Sequence, residues 1–212
     1  MSIEEQEIMA CDHEHGCSVE SAPSNRYRKV LWAALIINAL MFVVEISYGL
    51  KANSSALLAD SLDFLGDAAN YGISLWVLGL AVTVRARASL IKAATMVAFG
   101  IWVLGDALWG LMTNSVPEAL TMGTVGALAL VANLTVAVML YAWREGDSNM
   151  RSVWLCSRND ALGNIAVMLA ALGVFGTQSG LPDFIVAIIM ASLALSAAYQ
   201  IIKQARSELA IA

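Results

Sequence analysis

Residues 53–67 read Asn53-Ser-Ser-Ala-Leu-Leu-Ala-Asp60-Ser-Leu-Asp63-Phe-Leu-Gly-Asp67, and the apolar run continues to Val84. The stretch is helix-length and mostly apolar, yet it carries three carboxyls. An Asp at the centre of a membrane helix costs ~2.5–3.5 kcal/mol on insertion scales, so three facing lipid would cost about 8–10 kcal/mol if they added. The segment is therefore expected to be a membrane helix whose acidic face turns inward, toward protein or a wet cavity. Asp63 and Asp67 are four apart and share one helical face; Asp60 extends that stripe.

The rest of the chain fits that solvent. Apolar residues make up 59% of its 212 residues and charged residues 14%, with a mean hydropathy of +0.70. Soluble domains carry about 25% charged residues. Unbroken apolar runs of ~20 residues are membrane helices. Six are expected, at about 30–50, 55–84, 89–112, 116–141, 153–175 and 182–202, joined by short turns rich in Asn, Ser, Gly and Pro. The fold class is thus an all-α membrane protein of six transmembrane helices. Residues 1–25 form a flexible tail, 26–206 the transmembrane domain, and 207–212 a short C-terminal end. The net charge of −5 argues against a nucleic-acid partner, which wants a basic face.

Orientation follows from the distribution of Lys and Arg. Arg26, Arg28 and Lys29 precede the first span; Arg85, Arg87 and Lys92 flank the second turn; Arg144 and Arg151 lie in the fourth; Lys203 and Arg206 follow the last span. The opposite side has only Lys51. Both termini are expected in the cytoplasm. The first 25 residues are acidic and lack Lys and Arg, the reverse of a secretory leader.

The fifth span supplies a second four-spaced pair, Cys156 and Asp160. Packed against the second span, the two pairs offer three carboxylates and a thiolate. Four mixed oxygen and sulfur ligands suit a tetrahedral ion such as zinc, and the thiolate favours zinc or cadmium over magnesium, calcium or manganese. An empty set of crowded carboxyls is expected to hold protons. A divalent cation demands deprotonated ligands, so such a site can exchange metal for protons.

Residues 53–67 and the stretch Cys156-Ser-Arg-Asn-Asp160-Ala-Leu-Gly-Asn164 resemble the cation diffusion facilitator family. Its pattern is a Ser, then Ala-Leu-Leu-Ala-Asp, then a His or Asp followed four residues later by Asp, with a second such pair in the fifth span. Asp63 and Asp67 match the first pair; Cys156 and Asp160 occupy the second. Asn38, Glu45 and Asp183 also fall where members often carry such residues. The resemblance implies a homodimeric, proton-driven exporter of divalent transition metals working by alternating access, with metal and protons as substrates and no resident cofactor. It is not an enzyme. This sequence departs from the family in having no His in the membrane, which admits Cd, Co, Fe or Mn beside Zn. It also has Cys in the fifth-span pair, and ends about ten residues after the last span, where members carry a cytoplasmic domain. Dimerisation is then expected through the spans themselves, and a bacterial inner membrane fits.

Further candidates are Asp60, Asp106 in the outer part of the third span, and Asp183 at the start of the sixth. Cys11, His13, His15 and Cys17 in the tail form a short metal-capturing tract. That tract keeps open an alternative, a membrane metal sensor or buffer that does not transport. Glu45 is expected near the outer end of the first span, reaching the interface. Gly100, Gly105, Gly110, Gly123 and Gly126 are expected at close helix contacts.

Overall fold

The computed structural model describes residues 25–76, 82–143 and 148–211; the side chains of 82, 85, 143, 148–159 and 211 fall outside that description. The described residues form six α-helices: α1 (Asn25–Ala52), α2 (Ser55–Trp76), α3 (Val82–Thr113), α4 (Ala119–Leu140), α5 (Ser148–Thr177) and α6 (Leu181–Ile211). A single 3-10 turn, Tyr141–Trp143, follows α4. The described residues include no strand.

Five of the helices, all but α2, are long and apolar enough to cross a membrane, and the chain is an integral membrane protein. The exception is the acid-bearing helix. Its residues from Ser55 to Leu62 are buried without a break, and it touches every other helix. The closest pairs are α1 with α2, α3 with α6, and α4 with α5. The bundle is arranged for lipid: large apolar residues such as Leu40, Leu120, Val138 and Leu172 point outward, whereas Ala, Gly and polar residues fill the interior. Lipid tails are as apolar as Leu, so helices associate through close packing and buried hydrogen bonds. Gly100 faces Leu195 of α6, Gly110 faces Phe184 of α6, and Gly126 faces Met168 of α5. At Gly105, expected at such a contact, no neighbour among the described residues comes within 4 Å of where a Cβ would lie.

One end of the bundle is closed by repeated chemistry. α1 ends in Gly49-Leu-Lys-Ala-Asn53-Ser54 and α3 in Gly110-Leu-Met-Thr-Asn114-Ser115. In each, the Asn is left-handed, φ 52° at Asn53 and 51° at Asn114. In each, the Ser amide donates to the Gly carbonyl five residues back at 2.9 Å. This is the six-to-one bond of a Schellman cap, with Asn tolerating the conformation that most side chains avoid. The Glu118 amide then donates to the Ala52 carbonyl at 3.0 Å, tying the start of α4 to the end of α1. At Gly180 a Cβ would lie 2.2 Å from the Ser115 carbonyl oxygen, so only glycine fits there.

Residues 82–84, which hydropathy assigns to the second span, are helical residues of α3. Residues 77–81 lie outside the described residues.

Candidate metal site

α2 begins deep inside the bundle, where its first amides cannot reach water. A helix leaves its leading N–H groups without intrahelical partners, and here all of the first three are met. The Leu57 amide donates to Ser54 Oγ at 3.2 Å. The Ser55 amide donates to Asp183 Oδ2 at 2.9 Å, and the Ala56 amide to Asp183 Oδ1 at 3.2 Å. Ser54 Oγ also donates to Asp183 Oδ1 at 2.6 Å. A carboxylate from α6 thus caps α2, where the helix dipole favours negative charge. Ser55 Oγ donates to Asp106 Oδ2 of α3 at 2.7 Å. Asp106 lines a pocket of about 180 Å³ with Asn53, Ser55, Leu58 and Trp109.

Further along α2 a larger cavity of about 650 Å³ opens. Asp63 and Asp67 line it from α2, Asp160 from α5 and Lys92 from α3. The carboxyls of Asp67 and Asp160 lie within hydrogen-bonding reach of each other. Tyr71 donates its hydroxyl to Asp67 Oδ2 at 2.9 Å, and Asn70 also bonds to Asp67. Lys92 Nζ in turn bonds Asn70 Oδ1, so a cationic side chain is held next to the acidic wall.

The sequence candidates therefore separate into three groups. Asp63, Asp67 and Asp160 share the large cavity. Asp60 lines neither cavity and faces α1 and α5. Asp106 and Asp183 stand at the capped end of α2, one on the small pocket and the other on helix amides. The backbone of Cys156 lies in α5, four residues before Asp160, and its side chain is outside the described residues, as is the whole Cys11, His13, His15 and Cys17 tract. Among the described residues no three His, Cys, Asp or Glu side chains gather closely enough to hold a metal ion by themselves.

One expectation is overturned. Glu45 does not reach the interface; it is 0% exposed, because the α1 face on which it lies is the one packed on α2. Tyr71, Asn70, Lys92 and Asn133 were missed as site residues. Tyr71 follows Asp67 by four, a spacing that could have marked it. Asn70 follows Asp67 by three and carries the same kind of mark; Lys92 and Asn133 come from other helices and leave none.

A model of the cation efflux transmembrane domain matches residues 31–86 and 84–210. The zinc transporter ZitB of Pectobacterium atrosepticum is 28% identical over 214 residues, covering 95% of this chain and 65% of that protein. The cadmium, cobalt and zinc/H(+)-K(+) antiporter of Bacillus subtilis is 26% identical over 196 residues, covering 83% of this chain and 61% of the relative. The metal tolerance protein A2 of Arabidopsis thaliana is 29% identical over 137 residues, with 58% and 35% covered. The chain spans less than two thirds of the length of each of these relatives. With all six helices inside the matched region, wholly or in large part, the chain belongs to the cation efflux transmembrane domain family.

Proposed function

We propose that this chain carries a divalent transition-metal cation, zinc or cadmium first, across a membrane in exchange for protons. The ion is held by Asp63, Asp67, Cys156 and Asp160, and both termini lie in the cytoplasm. The observation that carries this reading is the meeting of three carboxyls from two helices on one open cavity. Asp67 is itself buried against Tyr71 and Asn70, but a cavity of about 650 Å³ bordered by all three carboxyls gives an ion room to reach them. The printed names of the relatives, zinc transporter and cadmium, cobalt and zinc antiporter, support the same class of cargo.

Chemically, the carboxyls exchange protons for metal at the ligand atoms themselves. An arriving cation displaces protons into the cavity, and its departure leaves oxygens that take protons up again. The thiolate adds a soft ligand that biases the set toward zinc and cadmium. A homodimer formed through the membrane helices completes the assignment.

The test is metal uptake into liposomes carrying the purified protein, under an imposed pH gradient. Uptake is expected to rise with the gradient and to drop to the level of protein-free liposomes in Asp63→Ala/Asp67→Ala. Gradient-driven uptake that survives the double substitution would falsify the site. Tight metal binding without flux would favour the sensor or buffer reading instead.

A further inference from the structure

Glu45 of α1 and Asp60 of α2 are both 0% exposed, and their carboxyls lie within hydrogen-bonding reach of each other. Asp60 Oδ2 accepts from Asn164 Nδ2 of α5 at 2.7 Å. Asn164 Oδ1 accepts from Asn133 Nδ2 of α4 at 2.9 Å. This two-amide chain fixes the Asp60 carboxyl. Both oxygens of Glu45 and Oδ1 of Asp60 meet no donor among the described residues.

Buried polar atoms in folded proteins are nearly always partnered; one proton shared by the two carboxyls partners two of the three oxygens and leaves one over. Two carboxyls this close in an apolar interior call for a proton or a metal cation between them, the same two occupants that exchange at the proposed transport site. The other charges whose fields reach the pair, those of Asp63 and Asp160, are acidic as well.

Position gives the charge an identity. Along α2, the small pocket is lined as far as Leu58 and the large cavity begins at Asp63. Asp60 lies in the closed stretch between them, about 8 Å long at 1.5 Å per residue. Facing that stretch is Gly163 of α5. A Cβ there would come 3.7 Å from Asp60 Oδ1 and 3.9 Å from Asp63 Oδ2. The Met190 methyl of α6 borders the same gap, 3.1 Å from that Cβ position, so the glycine keeps a backbone rather than a second side chain against the stretch from Asp63 to Asp60. At the far end Asp106 again presents a carboxyl to open space.

We propose that Glu45 and Asp60 form a second cation site, an intermediate stop for the divalent ion between the cavity at Asp63, Asp67 and Asp160 and the pocket at Asp106. This rests on the transport reading. The ligand class is a dehydrated divalent metal held by carboxylate oxygens, with Asn164 and Asn133 as positioning residues. The ion's charge is compensated throughout the closed stretch, which a bare apolar gap would not allow.

The experiment uses the full chain with zinc alone, measuring equilibrium binding by calorimetry and flux into liposomes with a trapped fluorescent chelator. Glu45→Gln is expected to keep the zinc Kd within about threefold while slowing flux about 100-fold, since an unpaired buried charge costs several kcal/mol. Glu45→Asp, with its carboxyl withdrawn by one methylene, is expected to lose only about tenfold. Flux of Glu45→Gln within about twofold of wild type overturns the site. So does Glu45→Asp faring no better than Glu45→Gln, which would make the residue a packing element. Should Glu45→Gln not fold, Glu45→Asp decides alone: a wild-type rate overturns the proposal, and a slower rate at unchanged Kd supports it. Wild-type protein that binds zinc and passes none would overturn the transport reading, a failure recognisable because it appears without any substitution.

Discussion

Cys156 supplies the one soft atom of the proposed ligand set, which is otherwise made of oxygen. Replacing it by Asp turns the set into four carboxylates, the donor type suited to manganese and magnesium. Cys156→Asp is expected to shift the cadmium-to-manganese uptake ratio toward manganese by about tenfold, read in a two-metal competition in liposomes. Tyr71 is a subtler case. Its hydroxyl donates to Asp67 Oδ2, so Tyr71→Phe removes one buried hydrogen bond and is expected to lower stability by about 1 kcal/mol. Thermal unfolding in detergent micelles reads that change. Asp63, Asp67 and Asp160 could be picked out beforehand because four-residue spacing within a helix is local. Glu45 could not be placed, because its partner sits on another helix and the amides that orient that partner lie 104 and 31 residues apart in their own pairings.

α2 works as an element only because other elements complete it. Its first amides are met from α6 by Asp183, across 127 and 128 residues of chain. Asp183→Ala leaves those amides buried and unpartnered, and is expected to cost about 2–3 kcal/mol of stability. Asp183→Asn, which keeps an acceptor oxygen, is expected to retain part of it. Comparing the two by thermal unfolding separates capping from bulk. The helical character of α2 was readable from its apolar length, and its inward face from its three acids. The matching Gly-Leu-x-x-Asn-Ser ends of α1 and α3 were written in the sequence, but their meaning lies in a left-handed Asn that composition alone does not announce.

At the scale of the whole molecule, the Lys and Arg bias sets a direction that can be checked independently of transport. Cysteines introduced in a Cys-free background at 145 and beyond 203 are expected to react only from the cytoplasmic side, and one at Asn114 only from the opposite side. Labelling of both sets from one side would overturn the six-span orientation. The cap on α2 also has a mechanical reading. The helix is pinned at Ser55 by two neighbours, α6 through Asp183 and α3 through Asp106, and it borders open space farther along. It is a lever with its fulcrum at the capped end. Asp60 and Asp67 stand about 7.5 and 18 Å out along the arm at 1.5 Å per residue. A tilt of ~10° would carry Asp60 by ~1 Å but Asp67 by ~3 Å on that geometry. Metal–ligand distances tolerate only about 0.2 Å. The same small rotation would therefore move the proposed ligands at the far end of the arm about three times as far as Asp60 near its pivot.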